Sequence, residues 1–119
     1  MITVSIERKV ESVPRVLPML RELRVEAMQA RGYITGFTLV GAEDRSLVTV
    51  VATWESLKDW EAWEASETRG RLYEQMRPFL LEEPVVRTYR HLSYEAESRK
   101  THTAQKLGAR DCVTGTRTA

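Results

Sequence analysis

Apolar and polar residues alternate at the start of the chain. Ile2, Val4 and Ile6 fall on one side and Thr3, Ser5 and Glu7 on the other, the period of two expected of a strand over residues 2–8. The period then changes. Val13, Val16, Leu17, Leu20, Leu23, Ala27 and Met28 recur at helical spacing with Arg and Glu between them, behind an N-cap candidate at Ser12. Pro14 is tolerated in the first turn, whereas Pro18 removes one backbone hydrogen bond and is expected to bend the helix. Gly32 is the candidate left-handed cap that closes it. Tyr33–Val40 and Leu47–Trp54 read as two strands joined by the hairpin-like loop Gly41-Ala42-Glu43-Asp44-Arg45. Ser56 can cap a short helix carrying Leu57, Trp60 and Trp63. A further helical stretch places Leu72, Met76, Phe79 and Leu80 at i, i+4, i+7 and i+8, with Pro78 near its end. Val85 to Tyr94 reads as the last strand.

The predicted order, β-α-β-β-α-α-β, is a ferredoxin-like split βαβ of the α+β class with its second helix broken in two. Its antiparallel sheet buries one face under the helices. In the third strand Val48, Val50, Ala52 and Trp54 share one face, yet Leu47 and Val51 make the other apolar too, so that face needs a cover. A second copy packed sheet to sheet, giving a dimeric α+β barrel, is the economical expectation.

At 119 residues the chain is one domain's length, enough for a core without staples. A net charge of +1 makes no electrostatic case for nucleic acid or membrane partners. The single cysteine, Cys112, allows no intramolecular disulfide, no apolar run reaches membrane-spanning length, and the N-terminus lacks a signal-peptide layout, so a cytoplasmic protein is expected. Residues 1–97 carry 13 Lys/Arg against 16 Asp/Glu, whereas 98–119 carry five basic residues against Asp111 alone. That basic stretch is poor in large apolar residues. The expected division is a folded domain over 1–96 and a flexible tail over 97–119.

The run Val51-Ala52-Thr53-Trp54-Glu55-Ser56, after a hairpin and before a Trp-rich helix, together with the Gly32-Tyr33 entry to the second strand, resembles the antibiotic biosynthesis monooxygenase family over roughly residues 1–95. The resemblance implies a homodimer with a pocket between sheet and helices in each protomer. Some members oxidise polycyclic phenols to quinones with molecular oxygen and no cofactor; others bind haem in the same pocket and degrade it. The quinone-forming pattern matches at Trp54, but its strand Asn falls on Val50, its helix Tyr on Trp60 and its later Arg near Tyr73. The haem-degrading pattern matches at Trp63, while its first-strand Asn falls on Glu7 and its ligating His at or next to Tyr73. A Tyr phenolate can ligate haem iron, which leaves haem open.

From the residues themselves, Trp60 and Trp63 at i and i+3 share a helix face close to Trp54, a surface on which a flat aromatic ligand would stack. Val50, Trp54 and Trp60 are the candidate substrate-binding residues, and Glu7, Trp63 and Tyr73 the candidate catalytic ones. Glu7 is the candidate base, on the supposition that the polar face of the first strand looks into the pocket. Arg87, Tyr89 and His91 share one face of the last strand, as an anion contact or as a solvated or interfacial strip. His91, His102 and Cys112 form no metal-ligand spacing, and no phosphate loop or Ser-His-acid set is present. The expected function is cofactor-independent monooxygenation of an electron-rich, polycyclic phenol-like molecule. The alternatives are a haem-binding or haem-degrading protein and a non-catalytic dimeric ligand-binding or assembly domain.

Overall fold

The computed structural model describes residues 1–92; the expected tail, the domain boundary near 96, Cys112 and the final residues of the expected last strand lie outside them. The elements run β1 (Ile2–Lys9), α1 (Val13–Ala27), β2 (Tyr33–Val40), β3 (Leu47–Trp54), α2 (Leu57–Glu64), α3 (Glu67–Met76), a 3-10 turn (Arg77–Phe79) and β4 (Val85–Arg90). The strands form one sheet in the order β2-β3-β1-β4, with every neighbouring pair antiparallel. β1 and β2 are joined through α1 with β3 inserted between them, so this is the split βαβ of an α+β, ferredoxin-like fold.

Register decides which side chains meet. In β1 the residues Ile2, Val4, Ile6 and Arg8 stand opposite Trp54, Ala52, Val50 and Val48 of β3, and directly paired residues share a face. This face is the covered one. Val4, Val10 and Val48 are fully enclosed with Val16 and Leu20 of α1, Trp60 and Trp63 of α2 and Leu72 and Met76 of α3, making a single core. The opposite face carries Thr3, Ser5 and Glu7 from β1, Val51 from β3, Phe37 and Leu39 from β2, and Val85, Arg87 and Tyr89 from β4. None of the three helices covers it, and Phe37, Leu39, Val85 and Tyr89 remain exposed.

Three element ends differ from the expectation, one of them that of β4, which stops at Arg90 with His91 and Leu92 outside the strand. α1 stops at Ala27, because Met28, Gln29 and Ala30 donate to Arg24, Glu26 and Ala27 in a tightening turn. Gly32 does take a positive φ of 89°, but at the entry to β2, where a Cβ would collide with the Asp59 side chain. Phe79 and Leu80 lie beyond α3, since Pro78 converts the last turn to 3-10 and Leu80 instead bridges to Val10.

Candidate functional site

Between the covered sheet face and the helices lies a cavity of about 60 Å³, within about 540 Å³ of space once its open mouth is counted. Its walls come from every helix and from three strands. Val50, Ala52 and Trp54 form the floor, Trp60 and Trp63 of α2 one wall, and Leu20 and Leu23 of α1 the other. The three tryptophans meet there because only two residues, Glu55 and Ser56, separate β3 from α2. Ser56 caps that helix by accepting a hydrogen bond from the Asp59 amide at 3.1 Å, while its own hydroxyl donates to the Asp59 carboxylate at 3.0 Å. The rings then interlock edge to face: Tyr33 with Trp54 at 5.3 Å between centroids, Trp54 with Trp60 at 5.9 Å. Gly36 keeps β2 open for this arrangement, since a Cβ there would lie 2.7 Å from the Tyr33 hydroxyl.

The polar part of the cavity is cationic. Arg8 projects from β1 into the core and is only 2% exposed. Its Nε and Nη1 have no hydrogen-bond partner, and neither does the indole Nε1 of Trp54. Burial, reinforced by the nearby Arg69 guanidinium, pulls Arg8 down to about 10. Arg69, from the first turn of α3, lies over the Trp60 ring at 5.5 Å, and burial lowers its pKa as well, partly countered by Glu64. Arg24 lines the mouth, where its guanidinium is committed to the Gly36 carbonyl.

The expected site residues separate into three groups. Val50, Trp54, Trp60 and Trp63 line the cavity. Tyr73 does not; its ring lies under the Arg77 guanidinium at 5.3 Å, behind Arg8 and Arg69. Glu7 is on the other side of the sheet, half-exposed and 3.5 Å from Arg87, so the supposition that the polar face of β1 looks into the pocket is corrected. Arg87 and Tyr89 also face away from the cavity, and His91 bonds to Thr3 beside them. Arg8 and Arg69 take the place sought for Glu7. Arg8 had a signal in the sequence: it continues the Ile2, Val4, Ile6 phase, where an apolar residue belongs.

Haem does not fit these residues. Tyr73 is not presented to the cavity, and about 60 Å³ accommodates a few waters or one small ring, not a macrocycle. Among the described residues no cluster of His, Cys, Asp and Glu is suited to a metal ion, and no helix is long and apolar enough to cross a membrane.

No family model matches the sequence, and no curated protein matches it. Solved structures do. One described as an antibiotic biosynthesis monooxygenase superposes with a TM-score of 0.70 over 78% of this chain and 100% of its own, at 19% identity. The chain has the fold of the antibiotic biosynthesis monooxygenases. SnoaB, a cofactor-independent oxygenase from Streptomyces nogalater, shares this monooxygenase fold with a TM-score of 0.65 at 13% identity, covering 76% of this chain and 94% of its own. A conserved protein from Methanosarcina mazei Go1 does so at 0.70 and 18% identity, covering 76% and 92%. The same fold is thus formed here by a sequence less than 20% identical to these structures.

Proposed function

We propose that this chain is a cofactor-independent oxygenase acting on a small electron-rich aromatic hydroxy compound. The observation that carries this reading is the cavity itself: three tryptophans and a tyrosine around one slot, with cationic groups and no carboxylate at its polar side. A phenol entering such a site ionises more readily than in water, because Arg8 and Arg69 stabilise its anion in a region of low dielectric. The deprotonated ring is the reductant: it passes one electron to molecular oxygen, and recombination of the two radicals forms a ring hydroperoxide. Loss of water from that hydroperoxide gives the quinone. The protein contributes orientation, charge stabilisation and exclusion of water. The cavity size favours one small ring inside, with any second fused ring left at the open mouth, over larger polycycles. Four cavity residues carry the binding role, Val50, Trp54, Trp60 and Trp63. Glu7 has no part.

Dioxygen uptake with dihydroxynaphthalenes, followed with an oxygen electrode alongside quinone absorbance, tests this. Stoichiometric uptake that falls in Trp63→Ala, with ligand affinity reduced by about 1–3 kcal/mol, is the expected result. Binding without uptake would overturn it in favour of a ligand-binding module. The lack of any carboxylate or imidazole in the cavity lining is the observation on the side of that second reading.

We also infer that two copies pack through the uncovered sheet face. Its exposed Phe37 and Leu39 beside Val51 form the kind of apolar patch that an antiparallel sheet otherwise buries, with exposed Val85 and Tyr89 of β4 beyond the polar row of β1.

A further inference from the structure

Every buried side-chain polar atom left without a partner among the described residues is a nitrogen that donates: Nε and Nη1 of Arg8 and Nε1 of Trp54. Both residues line the same cavity. A fold normally satisfies such groups internally, and these are satisfied by nothing in the chain. A guanidinium buried without a carboxylate is the most expensive form of this arrangement, because the charge keeps its desolvation cost and gains no Coulombic return. Arg69 stands close enough to add to the positive potential, and the charged Arg24 at the mouth is already engaged with a backbone carbonyl. Glu7, the one carboxylate on the neighbouring position of β1, is directed to the other face and paired with Arg87.

From this we infer that the Arg8 end of the cavity is a carboxylate-binding subsite, so that the ligand is an aromatic acid whose ring lies against the tryptophans and whose carboxylate meets Arg8. This deepens the oxygenase reading and rests on its aromatic pocket, naming the substrate class as hydroxylated aromatic carboxylic acids. A carboxylate suits the site better than a phenolate does. It has two oxygens and about four acceptor positions for the forked donors of the Arg8 guanidinium, where a phenolate has one oxygen. Arg69, held over the Trp60 ring, contributes charge beside the ring rather than at the carboxylate.

Calorimetric titration of the full chain with salicylate, with its neutral isostere salicylamide, and with pentafluorophenol in its ionised form tests the subsite. Salicylate is expected to bind about ten-fold or more tighter than salicylamide, the scale of a charge-assisted pair in a buried site. Arg8→Met keeps side-chain volume and removes the charge; it should abolish the preference for the acid while retaining the amide's affinity. Equal binding of acid and amide to the unmodified chain would overturn the carboxylate subsite and leave the aromatic pocket standing. Tighter binding of the phenolate than of salicylate would place a phenolate at Arg8 and overturn the assignment equally. Failure of all three to bind at millimolar concentration would overturn subsite and pocket together. The comparison on the unmodified chain decides the matter even where Arg8→Met fails to fold.

Discussion

A guanidinium desolvated with two nitrogens unpaired destabilises the fold that contains it. Lowering Arg8 from the ordinary guanidinium range to about 10 corresponds to roughly 3 kcal/mol of preference against its charged form. The sign follows from proton counting. Above about pH 10, until the ordinary guanidinium range is reached, the unfolded chain still holds the proton that the folded chain has released, so stability rises with pH there, and below pH 10 the full cost is present. Arg8→Met is therefore expected to raise unfolding free energy at neutral pH by about 1–3 kcal/mol, measured by denaturant titration. A loss of that size would mean that Arg8 is a structural member of the core. Glu7→Gln behaves differently. Its pair with Arg87 is half-exposed on both sides, so a stability change below about 1 kcal/mol and unaltered aromatic-ligand binding are expected in the same titrations. The alternation of β1 made the difference between these neighbours legible. Arg8 keeps phase with Ile6 and Val10, and Glu7 with Thr3 and Ser5. A carboxylate drew attention as a base by its chemistry, whereas the buried position belongs to the residue that breaks the apolar phase. Tyr73 was beyond reach of spacing alone, because whether it meets the cavity depends on how α3 is rotated against the rest of the core.

Among the elements, α2 depends most on its surroundings. Eight residues are too few for a helix to persist alone. Ser56 at its start, Asp59 against the Gly32 turn and the burial of Trp60 and Trp63 hold it in place. Ser56→Ala removes the cap and is expected to cost about 1 kcal/mol of stability by thermal unfolding. Because both wall tryptophans are carried on this helix, ligand affinity should fall in the same variant, which a cap remote from the cavity would not cause. The cap and the paired tryptophans were readable in the sequence as local signals. The end of α1 and the fate of Phe79 were not. In both cases tertiary contacts, the turn into β2 and the Val10–Leu80 bridge, override a periodicity that would have continued the helix.

For the whole molecule, the uncovered sheet face makes the assembly prediction. Val51→Asp places a carboxylate opposite Phe37 and Ser5 at the middle of that face. The variant should sediment as a folded monomer where the unmodified chain sediments as a dimer, and an unmodified chain that is monomeric at micromolar concentration would end the proposal. Strand number and element order were legible, since each β strand announces its own period and the loop lengths admit few topologies, whereas the supposition that the polar face of β1 looks into the pocket had to be corrected. The direction in which β4 presents its residues was not, because neither of its faces is covered and its pattern carries no contrast.

The central position of β1 has a consequence in time. It is the first strand synthesised, yet its neighbours are β3 and β4, and Ile2 pairs with both Trp54 and Arg90. The segment carrying Arg8 consequently has no sheet partner until the chain has been made as far as β3, and its second edge stays open until β4 emerges. Pairings of such long sequence separation place the folding rate well below that of helical bundles of similar length. While translation proceeds, the strand that builds the polar end of the cavity is an unpaired template for another chain, with a charged residue in its apolar row as the one interruption.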